Sequence, residues 1–213
     1  MPDFYKISNN FRIAKILRKK ITWVFAIKWL TSRKKTEKVQ KKTIWEMGRD
    51  TVEEFRAKEK LPVTVVLDNV RSLNNIGSVF RTSDGFRVSQ ICLCGISATP
   101  PSPEIHKTAL GAEDSVAWRY FADTTEAVDV LRKEGHTICA LEQVNGSVPL
   151  DRFVPERDRR YAIIAGHEVN GVDQRVVDMS DYCLEIPQEG TKHSLNVAVS
   201  TAIAIWHFYL ALR

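Results

Sequence analysis

The chain is short of cysteine, and its four cysteines, Cys92, Cys94, Cys139 and Cys183, show no C-x-x-C spacing and lie in apolar, strand-like runs. This argues against a disulfide scaffold and predicts small buried hydrophobes in a reducing cytoplasm. Ligation of a metal by Cys92 and Cys94 with a histidine would need a second ligand cluster at the usual spacing; the sequence offers none, and no metal is expected. Glycine is also sparse, at 10 in 213 residues, and no G-x-G-x-x-G follows the first strand-like run. Gly166 and Gly171 have the spacing of the P-loop glycines, but Val172-Asp173 stand where Lys-Ser/Thr is required, and Glu168 would repel a phosphate. Both a Rossmann dehydrogenase and a P-loop ATPase are therefore disfavoured. The apolar run Ile21 to Leu30 is too short to cross a bilayer, is interrupted by Lys28 and has no small-residue cleavage site. Neither a transmembrane span nor a secretory signal is expected from it. There is no internal repeat.

What the chain does have is charge asymmetry. Residues 1–60 hold 17 Lys/Arg against 7 Asp/Glu, whereas the remainder holds 14 against 19, within a net charge of +5. A basic appendage on a mildly acidic body is a footprint of nucleic-acid or acidic-membrane binding, and a solvated helical face has the same composition. Residues 11–30 read as a basic amphipathic helix, which also leaves membrane-surface attachment open; residues 32–42 read as a charged linker. The length suits one ordinary domain with an appendage. We place a basic N-terminal extension, helical or partly disordered, at 1–45 and an α/β body at 46–213. Thr51 and Glu54 form a capping-box pattern at the entry to that body.

From Leu61 strands and helices alternate. Strands are expected at Val63–Leu67, Val88–Leu93, Val116–Phe121, Thr137–Leu141, Tyr161–Ala165 and Tyr182–Ile186. Helices are expected at Asn74–Phe86, capped by Asn74 or Asn75, and at Glu104–Leu110, Thr124–Glu134 and Asp173–Asp178. A long apolar helix follows Ser194, whose hydroxyl is expected to cap it. Near-continuous apolar strands between helices predict a mostly parallel sheet covered on both faces.

Three strand ends carry unusual loops: Asn75-x-Gly77 with Arg81 further on, Gly166-His167-Glu168 with Gly171, and Gly190 with Ser194 and Asn196. In a parallel sheet such loops converge at the carboxyl ends of the strands, where α/β folds bind ligands. His167 and His193 flank the same region and read as half-exposed loop residues; Asp84 reads as a surface group.

The segments LDNVRSLNNIGSVFRTSDGF (67–86), AIIAGHEVNGV (162–172) and IPQEGTKHSLNVAVSTAI (186–203) resemble, in order, the three motifs of the SpoU or TrmH family of RNA ribose 2′-O-methyltransferases. The likeness spans 61–213 and rests on N-x-G-x-x-x-R-T, G-x-E-x-x-G and I-P-x-x-G-x-x-x-S-L-N-V occurring together. Gln188 stands where many members have Met. The resemblance implies a SPOUT α/β fold with its C-terminal segment threaded into a trefoil knot, an S-adenosylmethionine cofactor, a homodimer and an RNA substrate, tRNA ahead of rRNA.

By the same resemblance Ile164, Ala165, Gly166, Ile186, Pro187, Gln188, Gly190 and Leu195 would hold the methyl donor. Asn75, Arg81, Glu168, Ser194 and Asn196 would form the polar active centre. Arg81 would either grip the target phosphate or take the 2′-OH proton. The grip is favoured, because using a guanidinium as a base at pH 7 costs roughly 7 kcal/mol, but the base role stays open. The basic extension becomes the candidate for RNA backbone contacts. Two alternatives stand beside this reading: a catalytically silent RNA-binding module, and a SPOUT enzyme that methylates a base. Retention of all five polar residues argues against the first, and the S-L-N-V segment with the Asn75/Arg81 pair against the second.

Overall fold

The computed structural model describes residues 40–213 apart from Ile44 and His193, and the chain divides into two units, Met1–Arg49 and Asp50–Arg213. The helix expected over 11–30 and most of the linker lie outside the described residues. In the first unit the described part contains a 3-10 turn, Trp45–Met47. The backbone N–H and the hydroxyl of Thr43 close it by donating to the Glu46 carboxylate, at 2.7 and 3.0 Å.

The second unit is built on seven strands: β1 (Leu61–Asp68), β2 (Val88–Cys94), β3 (Trp118–Phe121), β4 (His136–Leu141), β5 (Val148–Pro149), β6 (Arg160–Ala165) and β7 (Tyr182–Glu185). They form one sheet in the order β3-β2-β1-β6-β4-β7-β5, with every pairing parallel. Helices α1 (Val52–Ala57), α2 (Leu73–Gly85), α3 (Pro103–Ala109), α4 (Ala112–Ser115), α5 (Thr124–Lys133), α6 (Gln174–Met179) and α7 (Val197–Leu212) complete the unit. The expected parallel α/β sheet is present.

Period-two alternation sorts the strand side chains into two cores. Val63, Val65 and Leu67 of β1 pack with Ile76, Val79 and Phe80 of α2 and with Ile205 and Phe208 of α7. On the other face Val66, Ile138, Ala140 and Ile164 pack with Ala127, Val128 and Leu131 of α5 and Val176 of α6. A strand that must fill both cores can carry few polar residues, which is why β1 reads as a continuous apolar run. Its exceptions are satisfied: Thr64 Oγ1 lies 3.1 Å from His136 Nε2, and His136 Nδ1 donates to the Leu131 carbonyl at 3.1 Å. Burial pushes the His136 imidazole below its usual range, against an opposing pull from the Leu131 hydrogen bond.

Helices α2 and α7 run side by side. Phe86, just after α2, meets Trp206 and Tyr209 of α7 at ring-centroid distances of 5.6 and 5.1 Å, and the two helix starts meet at the other end. Buried Phe208 packs on Tyr161 at 5.0 Å and on Phe153 at 5.7 Å, so truncating it to Ala would cost about 3–5 kcal/mol. Among the described residues no helix is long and apolar enough to cross a membrane.

Several local expectations are corrected. Ser72, not Asn74 or Asn75, caps α2 by accepting from the Asn75 N–H; Asn75 falls inside the first turn with its side chain free for other work. Asn196, not Ser194, caps α7, its Oδ1 accepting from Ala198 N at 2.9 Å and Val199 N at 3.3 Å. An Asn carbonyl reaches the same free N–H groups as a Ser hydroxyl, and Ser194 and Leu195 remain in the loop. The strand expected from Val116 begins at Trp118, because Val116 closes α4, a four-residue helix that was not anticipated. The two-residue strand β5 is too short to leave a periodic signal.

Candidate active site

Chain order diverges between β1 and β6, the neighbours at the middle of the sheet. Loops at their carboxyl ends separate there and leave a crevice, the place where open parallel sheets bind ligands. The β6 loop folds back on itself. His167 and Gly171 exchange two backbone hydrogen bonds at 3.0 and 2.9 Å, and His167 Nδ1 accepts from Val169 N at 3.0 Å and Asn170 N at 3.3 Å. The imidazole therefore carries its proton on Nε2.

Both glycines of this loop answer to its own packing. A Cβ on Gly166 would lie 2.2 Å from the backbone of Gly171 and Val172, and one on Gly171, whose φ is +69°, would lie 2.1 Å from Glu142 Oε2. Glu142 follows β4 and buttresses the loop: its carboxylate accepts from Val172 N and Gln143 N, each at 2.9 Å. Sequence reading missed Glu142. The available signal was the one used for the other loops, a charged residue at the carboxyl end of a strand.

From the same loop, one hydrogen-bonded relay joins all three motifs. The Asn196 Nδ2 donates to Asn75 Oδ1 at 3.1 Å, and Asn75 Nδ2 donates to Glu168 Oε1 at 3.0 Å. Glu168 also accepts from Ser72 N at 2.9 Å and Arg71 N at 3.1 Å. Burial alone raises the Glu168 pKa, but the N–H groups of Ser72, Arg71 and Glu168 itself, with the Asn75 amide, outweigh it and hold the carboxyl at about 2. Glu168 is thus a fixed anion, and its carboxylate orients Asn75.

The relay borders a cleft of about 470 Å³, within the range of small-molecule and cofactor sites. Ala165, Gly166, Ile186, Gln188 and Leu195 line it, together with Glu168, Ser194 and Asn196. Ile164 lies beneath, fully buried in the core toward α5 and α6. Pro187 and Gly190 are exposed and stand outside the lining; nothing approaches the space where a Gly190 Cβ would sit. Ser194 is exposed and makes no hydrogen bond to the described residues. Arg81 is not part of the relay. Six positions along a helix turn it about 240° from Asn75, and it projects from α2, exposed and without an ion pair among the described residues.

The lining includes Glu142, Glu168 and Glu185 and, among the described residues, no Lys or Arg. Such a cleft repels phosphate and favours a cationic ligand with hydroxyl donors. Among the described residues no group of His, Cys, Asp and Glu could hold a metal ion.

The family model of the SpoU rRNA methylases matches residues 62–206. An uncharacterized tRNA/rRNA methyltransferase of Borreliella burgdorferi is 26% identical over 198 residues, which cover 93% of this chain and 83% of the relative. A TrmH-type tRNA/rRNA methyltransferase of Staphylococcus haemolyticus is 25% identical across 74% of this chain, which spans 62% of that relative's length. The solved S-adenosylmethionine-bound rRNA methyltransferase of Sinorhizobium meliloti superposes with a TM-score of 0.67 at 25% identity, over 75% of this chain and 60% of that one. The match of the family model across both the crevice loops and the relay residues places the chain in the SpoU rRNA methylase family.

Proposed function

We propose that this chain transfers a methyl group from S-adenosylmethionine to a ribose 2′-OH of structured RNA, tRNA ahead of rRNA, in the cytoplasm. The relay Asn196–Asn75–Glu168 at the lip of an acidic cleft carries the reading. Three separate motifs converge on one point there, and the cleft suits a sulfonium cation with ribose hydroxyls. S-adenosylmethionine would lie against Ala165, Gly166, Ile186, Gln188 and Leu195 and supply an electrophilic methyl group. The threading of the C-terminal segment through a trefoil knot belongs to this proposal.

Within the site the chain's own groups divide the work. Glu168, held ionised at about 2 with its oxygens engaged, is too weak a base at neutral pH to take the 2′-OH proton. Asn75 is likewise committed at both ends of its amide. Among the described residues Ser194 and Arg81 keep free hydrogen-bonding groups. Ser194 orients the 2′-OH, and Arg81 grips the phosphate next to it, fixing the line of attack on which displacement at carbon depends.

A second copy completes the site. Helix α7 leaves Val199, Ile203, Trp206 and Leu210 exposed at 38–50% on the side away from the core. The spacing i, i+4, i+7, i+11 makes them one stripe, and a contiguous apolar stripe of that kind marks an interaction surface. A homodimer packed there, across α2 and α7, would bring Arg81 to the cleft of the partner subunit.

The test is methyl transfer from labelled S-adenosylmethionine to total tRNA and, separately, rRNA, with Arg81→Ala beside the wild type. Label in an alkali-resistant dinucleotide, lost in the variant, supports the proposal. Label in alkali-labile mononucleotides would show base methylation, and absence of cofactor binding would show a silent RNA-binding module.

A further inference from the structure

We propose that a second cleft, on the other side of the β6 loop, seats an unpaired base next to the methylated nucleotide. This rests on the methyltransferase reading above. The cleft, of about 300 Å³, is lined by Asp68, Asn69, Ile96, His167, Asn170, Gly171 and Asp173. His167, Asn170 and Gly171 also line the cofactor cleft. The two clefts thus share one wall, formed by His167, Asn170 and Gly171 of the β6 loop, so a ribose presented at the cofactor cleft lies one loop away from the second cleft.

The chemistry of the lining selects a base over a phosphate. Among the described residues no Lys or Arg lines the cleft, and two carboxylates do, which disfavours an anion. Asp68 is saturated: Thr124 Oγ1 and Asn69 Nδ2 donate to its Oδ1 and Asp173 N to its Oδ2, at 2.5, 2.9 and 2.8 Å. Asn69, at φ 56°, is committed as well, its Oδ1 accepting from Ile96 N at 3.2 Å. The groups left to meet a ligand are the Nε2–H of His167, the exposed Asn170 amide and the apolar side chain of Ile96. Together they offer a donor, a donor-acceptor pair and a flat or apolar wall, which is what the edge and face of a base require.

One exposed aromatic reaches the loop that carries Ile96. Tyr120 donates its hydroxyl to the carbonyl of Gly95, the residue before Ile96, at 3.0 Å. Tyr120 and Trp118 lie two apart on the edge strand β3, on one face of the sheet, both exposed, as is Ile96. Exposed aromatics beside a nucleotide path serve as stacking platforms for unpaired bases. Cations stand outside the cleft: Arg175 pairs with Asp173 at 2.9 Å and Asp123 at 3.2 Å.

The experiment uses the full chain with saturating S-adenosylmethionine and total tRNA and rRNA as substrates. It compares wild type with Tyr120→Ala, Ile96→Ala and Tyr120→Phe. The expected result is a KM for RNA raised about five- to ten-fold in the two alanine variants, as loss of a stacked base would give. kcat and cofactor affinity stay at wild-type values, and Tyr120→Phe, which keeps the ring, stays near wild type. Ultraviolet cross-linking of RNA to the unmodified protein provides a check independent of variant folding, with adducts expected on peptides containing Ile96, Tyr120 or Asn170. Unchanged KM in both alanine variants of an active enzyme, or cross-links confined to other peptides, would overturn the subsite and leave the methyltransferase reading standing. A wild type that transfers no label would instead refute that reading and the subsite with it.

Discussion

Asn196 donates to Asn75 at 3.1 Å across 121 positions of sequence, and the same Asn196 side chain caps α7 through its carbonyl oxygen. One amide therefore sets both the start of the last helix and the orientation of the first motif. Asn196→Ala is expected to lower stability by about 1 kcal/mol through the lost cap and to cut methyl transfer further by releasing Asn75. Ser194→Ala is expected to leave stability within about 0.5 kcal/mol, since its hydroxyl caps nothing. Urea unfolding of the two variants decides between Asn196 and Ser194 as the cap.

Acid should weaken the fold in two separable windows. The folded Glu168 pKa, about 2, lies below the ordinary carboxyl value of 4.5, so its contribution is complete above pH 4.5 and is lost as pH falls from there toward 2. His136 is also depressed, from 6.5; the unfolded imidazole takes up its proton first, and stability falls as pH drops below 6.5. Urea midpoints measured from pH 8 to 3 should decline in both windows. Glu168→Gln should flatten only the lower one and His136→Gln only the upper.

Gly166→Ala is expected to be among the most damaging small substitutions, because backbone atoms 2.2 Å from the new Cβ cannot yield as a side-chain end can. A loss of about 1–3 kcal/mol is typical of such overpacking, with cofactor binding lost as the loop shifts. Gly190→Ala meets nothing within 4 Å and should unfold at the wild-type midpoint; calorimetric titration with S-adenosylmethionine reads whether the loop tolerates it.

Trp206→Glu places a charge in the exposed stripe of α7. Sedimentation velocity should show a dimer for the wild type and a monomer for the variant. A wild type that sediments as a monomer at micromolar concentration would remove the argument that Arg81 serves the partner's cleft.

Deletion of residues 1–42 removes the whole basic excess that the sequence places at this end, 13 Lys/Arg against 2 Asp/Glu. RNA affinity should fall and its dependence on salt should flatten, since fewer phosphate contacts release fewer counterions, while S-adenosylmethionine affinity stays unchanged. Filter binding at a series of salt concentrations measures both quantities, and an unaltered RNA affinity would assign the phosphate contacts to the body.

Much of this architecture is legible in the sequence because strand and helix periods are local. β1, β6 and α2 stand within a few residues of where alternation and capping signals put them. The cap positions were misread at Asn75 and Asn196 for one reason: each Asn suits a helix start equally well as a cap or as a first-turn residue, and only the contact between the two distinguishes these roles. Arg81 shows the limit of motif adjacency, since a short spacing along a helix does not put two side chains on one face. Glu142 stayed hidden because its partners, Gly171 and Val172, come from a loop about thirty residues away, a distance that no periodicity spans.

With both clefts filled as proposed, the wall they share, His167, Asn170 and Gly171, would link their occupancies thermodynamically. A ligand that stiffens that wall from one side reduces the ordering entropy left for a ligand on the other. Linkage makes the effect reciprocal: whatever factor bound S-adenosylmethionine adds to RNA affinity, bound RNA returns to the cofactor. A loop this small would then give the enzyme an order of events, with the RNA held longest when the methyl donor is in place and released more readily once it is spent.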